Sequence, residues 1–322
     1  MEYRQLGATG VSVSAIGLGL AAIGRPGYIT LGHDKDLATR TDPSALEQHA
    51  HAMLDTARAA GVKYIDAARS YGRAEQFLGT WLDSRQAPLG QPIVGSKWGY
   101  VYEADWKIDA EVHEVKVHTR ENLDRQYAES NALVGTHLRV YQIHSATPES
   151  GVLENPEVLA RLAELRDAGI VIGVSTSGPD QATTIRRALE IEIDGRLLFG
   201  TVQATWNLLE SSAGEALAEA ADAGIGVIVK EAVANGRLTV RNQAMADRLR
   251  AAAPEWSPDA LAIAAGLHQP WSSVVLSGAA TAEQLTSNLQ ALEVPRAVTD
   301  QLPTIAESPD AYWRTRGALP WQ

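Results

Sequence analysis

The sequence predicts an α/β fold, a single closed (β/α)8 barrel, and three observations carry the prediction. Eight short apolar runs recur along the 322 residues, each nearly continuous rather than alternating. Helical patterns separate the runs. No Pro/Gly/Ser-rich linker or low-complexity tract divides the chain, so residues 1–322 read as one domain. Strands buried on both faces, as in a parallel sheet, lose the in-out alternation of half-exposed strands. Eight such strands in strict alternation with helices fit a closed barrel at this length, with a doubly wound open sheet as the alternative.

Taken in order, the first segment, "EYRQLGATGVSVS", reads as a small hairpin with its turn at Gly7–Gly10, capping the barrel bottom. The strand candidates are 13–20, 62–68, 92–99, 139–146, 170–178, 200–209, 224–232 and 272–279. Between them, 43–61 opens on Pro43 and stops at Gly61, and 155–169 opens on Asn155–Pro156 and stops at Gly169. Helices are also expected over 212–224 and 281–292, the last with Thr281 and Gln284 at capping-box spacing. Weaker patterns cover 73–83, 112–131 and 180–191, and an extra helix is expected over 257–267. Two stretches, 21–43 and 303–322, look too irregular for regular structure and read as long loops over the barrel mouth.

Composition narrows the function. Hydrophobic residues make up 45% and charged residues 21%, with a formal net charge of −11. That balance argues against nucleic acid or an anionic membrane as partner. The chain has no cysteine, hence no thiolate nucleophile and no cysteine–zinc site. "MEYRQLGATG" has neither the basic start nor the apolar segment of a secretory signal, and no run is long enough for a membrane helix, so a cytoplasmic protein is expected.

Two motifs tempt and fail. Gly17, Gly19 and Ala22 match the dinucleotide fingerprint G-x-G-x-x-A, but no helix opens on them, because Gly24-Arg25-Pro26-Gly27 follows. His49 and His51 lie two apart on an expected helix, where their rings diverge and cannot share a metal. No G-x-S-x-G or P-loop pattern is present, and no metal is expected.

Reactive groups in a parallel barrel sit at the C-terminal strand ends. By that rule Asp66 ends the second strand, Tyr71 lies in the loop after it, Lys97 ends the third and His144 the fourth. Buried aspartates and lysines are rare unless paired. A tyrosine hydroxyl titrates near 10, too high for acid–base work at neutral pH, and an adjacent Lys97 ammonium is expected to lower it. Asp66 would hold Lys97, and His144 would hydrogen-bond a substrate oxygen. The set suits protonation of a carbonyl oxygen, and none of the four is a hydride donor, so a cofactor is required.

The stretches "YIDAARSYG", "SKWG" and "YQIHS" resemble the motifs of the aldo-keto reductases, and the likeness runs over nearly the whole chain. The resemblance implies Tyr71 as general acid/base, Asp66 and Lys97 as its tuning pair and His144 as orienter of the carbonyl. It implies a nicotinamide cofactor, NADP with NAD as the alternative, extended over the barrel top. "GVSTSG" is similar to the family's "GVSN" and implies Ser175; "VQATWNLL" implies Gln203 and Trp206; "LSGAATAEQLTSNL" implies Ser277, Gly278, Thr281, Gln284 and Asn288. After strand seven, "VKEAVANGRL" departs from the family pattern, with Lys230 where an aromatic commonly stacks on nicotinamide; Asn235, Arg237 and Leu238 join the expected cofactor set. Ala280 stands where Ser, Arg or Lys often lies near the 2′-phosphate. Tyr28, Trp98 and Tyr100 are expected to wall a substrate pocket for an aldehyde, ketone or sugar, and the aromatic tail with Trp313 to close over it or pack outside. The competing readings are a cofactor-binding regulatory or sensor subunit with little catalysis, and a metal-dependent barrel hydrolase.

Overall fold

A computed structural model describes residues 1–38, 40–88 and 91–322. Eight parallel strands close into a barrel in chain order: Ile16–Gly19, Tyr64–Asp66, Ile93–Trp98, Leu138–Ala146, Val171–Thr176, Thr201–Thr205, Gly226–Lys230 and Val274–Ser277. The ring closes where Ser277 of the eighth strand pairs with Leu18 of the first.

The barrel has two cores because strand side chains alternate between faces. Inside, Tyr64, Val140, Ile228, Val274 and Leu276 pack with Leu6, Val11 and Val13 of the N-terminal hairpin, which plugs the bottom. Outside, the other face of each strand meets the helices in one continuous apolar layer. Tyr64 needs room in the lumen, and Gly95 provides it, since a Cβ there would stand 2.1 Å from the Tyr64 hydroxyl.

Helix starts follow the expected chemistry. Asp42 Oδ1 accepts from Ser44 N–H at 2.8 Å ahead of helix Pro43–Ala59, and Asn155 Oδ1 from Glu157 N–H at 3.1 Å ahead of Pro156–Asp167. Thr281 caps Ala282–Leu289 by accepting from Gln284 N–H at 3.2 Å, while the Gln284 side chain turns to Ala280 N–H instead of closing the box.

Four expectations need correction. The first apolar run splits, with Ser12–Ser14 in the hairpin and Ile16–Gly19 in the barrel. Residues 112–131 are not one helix: Glu114–Lys116 pairs antiparallel with Tyr100–Tyr102, and the helix is Arg120–Val134, capped by Thr119. The first long stretch holds a short helix, His33–Leu37, and the tail holds Pro309–Gly317, opened by Ser308–Pro309. An additional helix, Gln243–Ala252, precedes the expected one at Pro258–Leu267. No helix among the described residues is long and apolar enough to cross a membrane.

Candidate active site

The strand ends deliver a cluster of polar side chains to the barrel mouth. Lys97, only 1% exposed, forms an ion pair with Asp66 and donates to Ala67 O at 3.0 Å and to Tyr71 Oη at 3.3 Å. The other Asp66 oxygen accepts from Gln203 Nε2 at 2.8 Å. The turn that returns Tyr71 over the rim needs Gly72 at φ +60°, where a Cβ would strike Gly24 O at 2.6 Å. His144 packs edge-on against Tyr71 at 5.5 Å and Tyr100 at 5.0 Å, with Ser70 Oγ 3.4 Å from its Nδ1.

Burial drives His144 well below the ordinary imidazole range, and the Lys97, Lys230 and Arg25 charges add to it, so the ring is neutral. Burial also raises the Tyr71 hydroxyl well above 10, with the Asp66 carboxylate pushing the same way. The lowering expected from Lys97 is therefore reversed: its charge comes with Asp66 attached, and desolvation of the phenolate dominates.

A cavity with about 250 Å³ of free space brings Tyr28, Asp66, Tyr71, Tyr100, His144, Ser175, Gln203, Lys230, Asn235 and Gly278 together. Lys97 lies directly behind it. Two aromatic candidates face the other way. Lys97 points inward, so Trp98 points outward; it is fully buried against His118, ring centroids 5.6 Å apart, and does not wall the pocket. Trp206 likewise follows inward-facing Thr205 and packs on Trp271 at 5.6 Å, away from the cavity. Leu238 is core. Arg237 is ion-paired to Glu307, outside the cavity lining. Ser277 and Asn288 share a side-chain hydrogen bond of 2.8 Å, and they, Thr281 and Gln284 lie beyond the cavity wall. His49 and His51 diverge, to Ala280 O at 2.6 Å and Phe77 O at 3.0 Å.

Sequence reasoning missed the roof. Arg25, 3% exposed, pairs with Glu114, donates to Ser70 O at 2.9 Å, and lies 5.4 Å over Tyr71 and 4.7 Å over Trp321. Glu231, at φ 56°, takes a two-pronged contact from Arg316 and a hydrogen bond from Thr205. Burial pushes Glu231 up, but Arg316 and Lys230 overcome it and hold the carboxyl at about 2. Lys230, lowered by burial to about 8, donates to Thr205 Oγ1 at 2.8 Å. The tail closes the roof: Trp321 stacks on His113 at 3.9 Å, and Gln322 exchanges backbone hydrogen bonds with Tyr28. Each partner lies tens to hundreds of residues away in sequence, so no local pattern announces it.

The sequence model of the Aldo/keto reductase family matches residues 16–309. The chain belongs to the aldo-keto reductase family. Among curated relatives, the aldo-keto reductase YhdN of Bacillus subtilis is 28% identical over 74% of this chain and 64% of its own length. The uncharacterized oxidoreductase YqkF of the same species is 23% identical over 94% of each chain. The solved aldo-keto reductase AKR11C1 of Bacillus halodurans, in its holo form, shares the fold at TM-score 0.73 and 22% identity, covering 96% of this chain and 97% of that one. A Pseudomonas aeruginosa structure described as an aldo-keto reductase aligns at TM-score 0.65 and 24% identity, over 93% and 95%.

Aldo-keto reductases work in general with NAD(P)H, and the donor set here fits such a group. Asn235 Oδ1 is unpartnered although the residue is only 6% exposed and lines the cavity. Beyond it, Gly278 has open space where a Cβ would stand, ahead of the Thr281-capped helix, an arrangement suited to phosphate. Ser175 and Gln203 add hydroxyl and amide groups on the strand-borne side.

Proposed function

We propose that this protein is an NAD(P)-dependent oxidoreductase that interconverts a small carbonyl compound and its alcohol, with Tyr71 as general acid/base. The observation that carries the reading is the Asp66–Lys97–Tyr71 chain of contacts beside a neutral His144 at the mouth of the cavity. A nicotinamide dinucleotide, when held at the cavity, would supply or accept the hydride. Tyr71 gives its proton to the carbonyl oxygen as charge develops there, and the Lys97 ammonium 3.3 Å away stabilises the phenolate left behind. Asp66, itself held by Gln203, fixes Lys97 through their ion pair, and His144 is placed to hydrogen-bond the same substrate oxygen. Tyr28 and Tyr100 wall the site, and NADP is the favoured cofactor.

A tyrosine raised by burial is protonated at neutral pH, which favours reduction. Alcohol oxidation needs the phenolate and should rise steadily with pH into the alkaline range. The decisive experiment mixes the protein, NADPH and an activated aldehyde such as 4-nitrobenzaldehyde and follows nicotinamide absorbance. Turnover that falls about 10³-fold in Tyr71→Phe, with dinucleotide binding retained, is expected. Full activity in Tyr71→Phe removes the assigned acid, and dinucleotide binding without turnover of any carbonyl tried favours the sensor reading.

A further inference from the structure

Charged groups crowd the barrel mouth, and they do not cancel. The cations are Arg25, Lys97, Lys230 and Arg316, and the carboxylates are Asp66, Glu114 and Glu231; all but Lys97 line the cavity. Three pairs form: Arg25 with Glu114, Lys97 with Asp66 and Arg316 with Glu231. Lys230 is left over. Among the described residues it has no ion-pair partner, and its hydrogen bond of 2.8 Å goes to the hydroxyl of Thr205. An ammonium carries three donors. This half-buried cation therefore keeps donors, and a charge no carboxylate cancels, for whatever enters the cavity.

Lys230 ends the seventh strand and faces inward. It lies two residues past Ile228, which packs in the lumen, and strand side chains alternate. Its strand pairs with the one that carries Gln203, Thr205 standing opposite Lys230. It lines the same space as Tyr71, His144, Ser175 and Gln203. A hydride donor must enter this space to reach a carbonyl held at Tyr71 and His144. In about 250 Å³ its ring cannot stand far from the Lys230 ammonium. Coulomb forces between groups so enclosed are much stronger than in water.

The reduced nicotinamide ring is neutral, and the oxidised ring is cationic. We propose that Lys230 makes the site sensitive to that difference: its ammonium repels the oxidised ring, leaves the reduced ring undisturbed, and so holds NADPH more tightly than NADP+. This rests on the oxidoreductase reading above. Carbonyl reduction sends the hydride to the carbonyl carbon and the Tyr71 proton to its oxygen, so the carbonyl is reduced and the ring oxidised. The ring's new charge then appears beside Lys230, which favours release of the spent cofactor. The phosphates and the adenosine are the same in both forms, so the ratio of the two affinities isolates the ring.

The test titrates NADPH and NADP+ separately by calorimetry into the wild type, Lys230→Met and Lys230→Arg. At pH 7 the wild type should bind NADPH at least about tenfold more tightly than NADP+. Lys230→Met should cut that ratio by about tenfold, through tighter NADP+ binding, and Lys230→Arg, which keeps the charge, should preserve it. NADPH affinity should stay nearly constant, which also reports that the variants are folded. A second arm needs the wild type alone. Burial lowers Lys230 to about 8, with Glu231 raising it, Arg316 and Lys97 lowering it and Asp66 raising it. Its charge is largely present at pH 7 and largely gone by pH 9. Wild-type affinity for NADP+ should therefore rise several-fold from pH 7 to pH 9, while that for NADPH stays level. A ratio untouched by Lys230→Met, or an NADP+ affinity flat from pH 7 to pH 9, overturns the role of Lys230 while leaving the oxidoreductase reading intact. A wild type that binds neither dinucleotide overturns both.

Discussion

The floor and the roof of the cavity are both charged, the floor buried and the roof in large part half-buried, and they are held by different means. The floor residues, among them Asp66, Lys97, His144, Ser175 and Gln203, stand on barrel strands. Strand register sets their spacing, as where Lys97 pairs with Gln142 and Gln203 with Ser175. The roof residues Arg25, Glu114, Arg316 and Trp321 come from the first loop, a side hairpin and the C-terminal tail. The barrel sheet fixes none of them. Ion pairs and aromatic faces do, and each contact joins segments that the barrel would leave independent. A site meant to hold one proton-transfer geometry benefits from the floor's rigidity; a roof built of exchangeable contacts can part for a ligand and close again.

The largest test of the roof removes one partner of a partly buried pair. Arg316→Met leaves the Glu231 carboxylate at the cavity with no bidentate counter-charge, on a residue already at φ 56°. The expected loss is about 3 kcal/mol of unfolding free energy, measured by urea titration near neutral pH. A loss below about 0.5 kcal/mol would class the pair with ordinary surface bridges and erase the distinction drawn here.

His33 gives a smaller effect and a pH signature. It is fully buried under the first loop, neither ring nitrogen has a partner, and Tyr28 packs edge-on at 6.2 Å. Burial lowers its pKa from 6.5 to about 4, against the raising effect of Asp36 and with Arg241 and Arg25 lowering it further. The unfolded chain therefore takes up a proton below about pH 6.5 that the folded chain refuses, so this contribution to stability falls as pH drops from 6.5 toward 4. His33→Phe should remove roughly 2 kcal/mol of that acid sensitivity at pH 4.5, read as the difference in unfolding free energy between pH 7 and pH 4.5 for the two proteins. An unchanged pH dependence would mean the roof opens to water at His33 well before the protein unfolds.

The contrast also explains what the sequence disclosed. The eight apolar runs, and Asp66, Tyr71, Lys97 and His144 at or just past the strand ends, follow from local pattern plus one rule about where barrel chemistry sits. The roof does not. Arg25 looked like one residue of a turn, and its partner Glu114 fell inside a stretch with a helical pattern. Arg316 and Trp321 belong to the tail, whose sequence fits closing over the pocket and packing outside it equally well. Their pairing is tertiary, and periodicity carries no information about it. Trp98 and Trp206 are a different kind of miss, because the information was there. Each directly follows an inward-facing residue on its strand, Lys97 and Thr205, so the period of two already sends it to the helix side.

The smallest predicted effect tests that last point. If alternation decides the matter, Trp206 touches Trp271 and the helix layer and never the cofactor. Trp206→Phe keeps a ring on that face but leaves a gap, and should lower stability by about 1 kcal/mol. Dinucleotide affinity, titrated by fluorescence, should change by less than about twofold, since nothing lining the cavity has moved. A tenfold weaker dinucleotide with little loss of stability would put the indole over the cavity after all, and the floor would then owe part of its binding surface to a residue that the strand register turns away from it.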